Sequence, residues 1–140
     1  MVEKNLYQNV KMVTAFAEKS GAVVAATGKN DIVSDGRKAY WIQNGHSKMQ
    51  TVTGVGCQLL ALAAAYVAAN PKHTLEAVTA AVSAIGVCGE LAYERMSDLD
   101  GNASYRNYLI DAVYRLDGKK LERLARVEKV NEDGEKSNEM

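Results

Sequence analysis

Two glycines flanking one residue, Gly54-Val55-Gly56, stand directly before Cys57 and a run of strong helix formers, Gln58–Tyr66. This layout constrains the fold more than any other stretch. It describes a tight, glycine-permitted turn that opens a helix, and such a helix start offers unpaired backbone N–H groups and a positive dipole end to an anion. It also puts Cys57 where a thiolate is favoured. The pattern points to phosphate chemistry.

The chain has 140 residues, which predicts a single domain. Its hydrophobic share of 47% is enough for a real core. Lys+Arg and Asp+Glu balance at 17 each, which argues against a nucleic-acid surface or an acidic membrane as partner. No charged n-region with an apolar h-region follows Met1. The longest apolar runs, Leu59–Ala69 and Ala77–Cys88, fall short of the ~20 residues that span a bilayer. Two cysteines without a leader read as free thiols, and a cytoplasmic setting is expected.

Leu6–Lys19 reads as an amphipathic helix, with Leu6, Val10, Val13, Phe16 and Ala17 on one face and Gly21 as its stop. Ala22–Thr27 is a continuous apolar run between glycines, the pattern of a strand buried on both faces in a parallel sheet. Asp31–Ser34 and Lys38–Ile42 flank Asp35-Gly36 as a hairpin. Asn44-Gly45-His46 is a second turn. From Gly56 on, the chain reads as helical: Cys57–Ala69 as an interior helix, apolar nearly all round. Asn70-Pro71 is the break, and a second helix capped by Thr74 runs to about Met96. Ser104–Leu116 is a third, and Lys119–Val130 a charged extension whose alternating charges describe a solvated face. Asn131–Met140 is polar and expected to be disordered. One buried strand beside a hairpin is too few for such a sheet, so the chain looks like part of a larger one.

With these pieces assembled, residues 22–116 resemble the C-terminal half of hydroxyethylthiazole kinase, an enzyme family with a ribokinase-like α/β fold. The resemblance rests on Gly21–Gly28, Asp31–Gly36, Asn44-Gly45-His46, Val52–Cys57 and Gly89–Arg95, in the family's order and spacing. It implies the C-terminal portion of a three-layer α/β fold, few strands followed by several helices. Residues 1–130 would form a partial kinase domain, and 131–140 a tail. It also implies ATP-dependent phosphorylation of the hydroxyethyl group of 4-methyl-5-(2-hydroxyethyl)thiazole, with Mg2+, in thiamine salvage. By the same resemblance Cys57 is the base for the substrate hydroxyl, where related kinases keep an aspartate. Gly54 contacts the thiazole, and Thr27 contacts ATP. The backbone N–H groups of Gly54, Val55, Gly56 and Cys57 form the anion hole. Val55 departs from the family, which usually has a small or hydroxylated residue there. The family's metal-associated acidic residues and an ATP-contacting arginine belong to the N-terminal half, so no metal ligand is expected here. Family members are trimers with active sites between subunits, which implies a homo-oligomer or a separate N-terminal half as partner. A non-catalytic fragment or assembly subunit, and one half of a split kinase, are the alternative readings.

Other residues have plainer readings. Cys88, among Ile85, Val87 and Leu91, reads as core. His46 and His73 have no second ligand at metal spacing. Glu90 and Glu94 share a helix face beside Arg95 and read as exposed charge. Tyr105, Tyr108 and Tyr114 read as helix-packing residues.

Overall fold

The computed structural model describes residues 2–131. The polar tail from 132 onward, and with it most of the expected disordered segment, lies outside the described residues.

Four short strands form one sheet in the order β1 (Val24–Ala26), β2 (Asp31–Ser34), β3 (Ala39–Ile42) and β4 (Val127–Val130). Every neighbouring pair is antiparallel. The expected hairpin is present: Ile32 lies opposite Trp41 and Val33 opposite Tyr40. Asp35 closes it by accepting from the N–H groups of Arg37 and Lys38, both at 2.8 Å.

Period-2 alternation then divides the side chains between two faces. Ile32, Ala39 and Val130 point to α1 (Val2–Ser20), where Leu6, Val10 and Val13 meet them. Val33 and Ile42 point the other way, to Leu75 and Val82 of α3 (Thr74–Glu94). The layers are therefore helix, sheet, helix. The helix over Leu6–Lys19 is as expected, except that Phe16 is 62% exposed and Thr14 takes a buried place instead.

Four expectations are corrected. Ala22–Thr27 is not a strand buried on both faces in a parallel sheet. Its ordered part, Val24–Ala26, is an antiparallel edge with Ala25 exposed. Its apolar run reflects packing of Val24 and Ala26 against the α1 core rather than cover on both sides.

The interior helix is α3, not the segment Cys57–Ala69. Helix α2 (Val55–Ala69) has no buried residue, and Leu60 is 72% exposed. Partners cover only one flank of α2, through Leu59 and Leu62. Helix α3, by contrast, is enclosed by the sheet, α2 and α4 (Asn102–Arg115), and small residues let it pass among them. It is long and apolar enough to cross a membrane by length and composition, yet most of it is buried as core. Thr74 begins α3 rather than capping it. The cap position is His73, and the Thr74 hydroxyl donates to Pro71 O at 3.5 Å.

Lys119–Val130 is not one charged helix. Asp117 caps a short α5 (Gly118–Leu124) by accepting from Lys120 N–H at 2.7 Å, and the chain then enters β4. Strand β4 carries two charged residues in four, so period and composition hide it. Pairing with β3, which sets Val130 opposite Ala39, is what makes it a strand.

Candidate active site

Gly54 is the N-cap of α2, with φ +94° in the left-handed region and no side-chain cap. A β-carbon is disfavoured there, which accounts for glycine at this position. The helix ladder begins with Gln58 N–H donating to Gly54 O at 3.0 Å. The N–H groups of Val55, Gly56 and Cys57 precede that bond and have no carbonyl within the helix to reach. Cys57 is a free, exposed thiol.

This turn separates two concavities. Val55 and Gly56 line a cavity of about 760 Å³ together with Thr27, Asp31, Asn44 and His46. Gly54 and Cys57 line a second one, of about 550 Å³, together with Arg106 and Ile110. The residues singled out from the sequence thus gather at one turn but divide between its two sides. Thr27 stands at the end of the edge strand, on the Val55 side. Cys57 opens to the other side, next to α4.

Asp31, which the local pattern does not mark out, also lines the larger cavity. Its carboxylate accepts from Gly28 N–H at 2.8 Å, closing the loop after Thr27. Burial raises its pKa above the ordinary value, against the lowering effect of that Gly28 bond.

Residues 43–47, 49 and 50 also line this cavity, and a polar cluster holds them. Asn44 is 5% exposed. Its Nδ2 donates to Leu124 O at 3.0 Å and Glu90 Oε2 at 3.3 Å. Its Oδ1 accepts from Arg126 N–H at 2.7 Å and from the Ser83 hydroxyl at 3.3 Å. Glu90 is therefore not an exposed charge beside Arg95. Its Oε1 accepts from Gly45 N–H at 2.8 Å and from Arg126 Nη2 at 2.5 Å. Arg95 instead pairs with Asp111 at 2.9 Å and lies over the Tyr108 ring. Spacing along one helix put Glu90 near Arg95; its true partner is 36 residues away, a relation no local pattern encodes.

The core reading of Cys88 and the packing reading of Tyr105 hold, and that of Tyr114 does not. Cys88 is fully buried, and burial pushes its thiol up to about 11. Tyr105 is buried with its hydroxyl donating to Gly89 O at 3.0 Å, and burial raises it to about 12. Tyr114 is the exception, 90% exposed and packed into no helix interface.

Among the described residues no three His, Cys, Asp or Glu side chains come together to hold a metal ion. These residues form no dedicated metal cage; a magnesium ion held mainly by nucleotide phosphates and water needs none.

The hydroxyethylthiazole kinase family profile matches residues 2–119. A hydroxyethylthiazole kinase of Clostridium acetobutylicum is 51% identical over 119 residues, which is 85% of this chain and 44% of that protein. One from Arabidopsis thaliana is 41% identical over 108 residues, covering 77% of this chain and 38% of its own length. The solved hydroxyethylthiazole kinase of Pyrococcus horikoshii superposes with a TM-score of 0.81 at 33% identity, over 92% of this chain and 49% of that one. The chain thus spans about half the length of the relatives it matches, and its α/β arrangement is the ribokinase-like one seen there. With the profile running from the first helix through the glycine turn to α5, the chain belongs to the hydroxyethylthiazole kinase family.

Proposed function

We propose that this chain supplies the phosphoryl-transfer corner of a hydroxyethylthiazole kinase, acting on 4-methyl-5-(2-hydroxyethyl)thiazole and ATP in the cytoplasm. The observation that carries this reading is the turn at Gly54–Cys57. It joins a left-handed glycine, three helix N–H groups and an exposed thiol on the partition between two concavities.

In the proposed reaction the substrate hydroxyl oxygen attacks the γ-phosphorus of ATP. The bond from that phosphorus to the β-bridging oxygen breaks, and ADP leaves. The hydroxyl proton passes to the Cys57 sulfur. The N–H groups of Gly54 to Cys57 face the charge that spreads over the transferring oxygens, where fixed donors lower the barrier most. Thr27 contacts the nucleotide from the larger cavity, and Gly54 contacts the thiazole. Magnesium, when bound to the nucleotide, would neutralise phosphate charge.

The active form includes more than a single half-length chain: either the remaining half of the domain or further copies of this one. The open flank of α2 and the free edge of β1 favour such association. The test is ATP-dependent phosphorylation of the thiazole alcohol by this chain alone, and again with the N-terminal half of the Clostridium acetobutylicum relative added. Turnover in the first assay makes the chain a complete catalyst. Turnover only in the second makes it one half of a split kinase. Turnover in neither sinks the kinase reading and leaves an assembly or binding role.

A further inference from the structure

We infer that Glu90, with Arg126 as its ionic partner, is a positioning residue for the glycine turn and acts through segment Asn44–Thr51. The inference rests on the kinase reading above. The turn does not place itself. Gly54 has no side-chain cap, and a β-carbon added at Gly54 or Gly56 would find nothing within 4 Å. Its position comes from its flanks: Val52 and Val55 pack against the core around Ile85 and Cys88, and the chain leading into it is a 3-10 helix over Ser47–Thr51.

That helix is held at both ends. At its far end Asn102 Nδ2 donates to Thr51 O at 3.0 Å, and the Thr51 hydroxyl donates to Asn102 Oδ1 at 3.1 Å. In the middle, Met49 sits in the notch left by Gly89. The ring of His46 stacks on Tyr93 at 3.7 Å, and His46 Nδ1 caps the helix by accepting from Lys48 N–H at 3.1 Å. At the near end one carboxylate, Glu90, receives the Gly45 N–H, the Asn44 amide and the Arg126 guanidinium. Arg126 Nη2 also donates to Gln43 O at 2.9 Å. Glu90 thus joins helix α3, the entry to the 3-10 helix and the approach to β4, and it adds a charged tie to the neutral one that buried Asn44 makes among the same pieces through Ser83, Leu124 and Arg126.

The Glu90 and Arg126 side chains are 22% and 53% exposed. An ion pair that wet contributes little to global stability. Its effect is therefore expected on placement, and phosphoryl transfer is sensitive to placement: a shift on the order of 1 Å at a reacting group can cost a hundredfold in rate.

Glu90→Gln keeps the size of the side chain but turns one acceptor into a donor facing the Arg126 guanidinium. In whichever assembly turns over, it is expected to lower kcat about tenfold or more while KM for the thiazole alcohol stays within about threefold. Amide exchange at Gly45 should accelerate in the same variant. Arg126→Gln should reproduce both effects and carries the test if Glu90→Gln fails to fold. Arg126→Lys, which keeps a cation, should recover most of kcat. Turnover within about twofold of wild type in both Gln variants would overturn the inference. So would slowed turnover with unchanged exchange at Gly45, or no recovery by lysine. If the wild-type protein turns over in no assembly, the kinase reading fails by itself, and Gly45 exchange then decides: unchanged protection in Glu90→Gln removes the latch, and faster exchange retains it.

Discussion

Gly86 lies so close to Asn44 that a β-carbon on it would stand 2.8 Å from the Asn44 carbonyl carbon, carbonyl oxygen and Cβ. The most buried helix of the protein and the wall of its larger cavity meet at this point. Glycine is needed there for space rather than for its backbone freedom.

Gly86→Ala is accordingly expected to destabilise the protein by about 1–3 kcal/mol, as overpacking does, even though alanine favours a helix by about 1 kcal/mol. The obstacle is backbone, which gives way less readily than a flexible side chain. Gly118→Ala, which would meet no atom within 4 Å, is the control and is expected to be neutral or slightly stabilising. Urea denaturation of the two variants checks the contrast. Equal midpoints would mean that the Asn44 segment moves freely.

Gly54→Ala isolates the opposite effect. Nothing stands within 4 Å of the added carbon, but φ is +94°. Its cost is backbone strain alone, roughly 1–2 kcal/mol. If the turn relaxes toward ordinary helical angles, the three N–H groups lose their aim. A loss of turnover larger than the loss of stability is the expected signature, read from kinetics beside a denaturation curve.

Cys57→Ala tests the base. The thiol is exposed and packs little, so stability should stay within about 0.5 kcal/mol of wild type. Turnover in the active assembly should fall by about 100-fold or more, the usual range for losing a general base. Unchanged turnover would show that the proton leaves by another route.

Alkaline pH should lower the stability of the protein, with Cys88 and Tyr105 as the largest contributors. Burial raises Cys88 from 9.0 to about 11 and Tyr105 from 10.0 to about 12. Between those values the unfolded chain has released a proton that the folded chain still holds, so stability falls with rising pH. The contribution of each group is full below its unfolded value and gone above its folded one. The urea midpoint should decline from about pH 9 to about pH 12. Cys88→Ala should flatten the lower part of that decline, and Tyr105→Phe the upper part.

Much was legible in the sequence because it is local. The Asp35-Gly36 hairpin, the amphipathic face of Leu6, Val10 and Val13, and the helix start at Gly54 each depend on residues within a few positions of one another. So does the family resemblance, which is a matter of motif order. What the sequence misjudged depends on neighbours distant along the chain. Helix α2 is apolar all round yet exposed, because partners reach only one flank of it. Helix α3 is interior because glycine, alanine and serine let three neighbours approach. Strand β4 exists because β3 has an edge to pair with. The division of the candidate site, with Thr27 on one side of the turn and Cys57 on the other, belongs to the tertiary structure as well. So does the role of Glu90. A carboxylate's partner is chosen by distance in space, and only folding brings Arg126 to it.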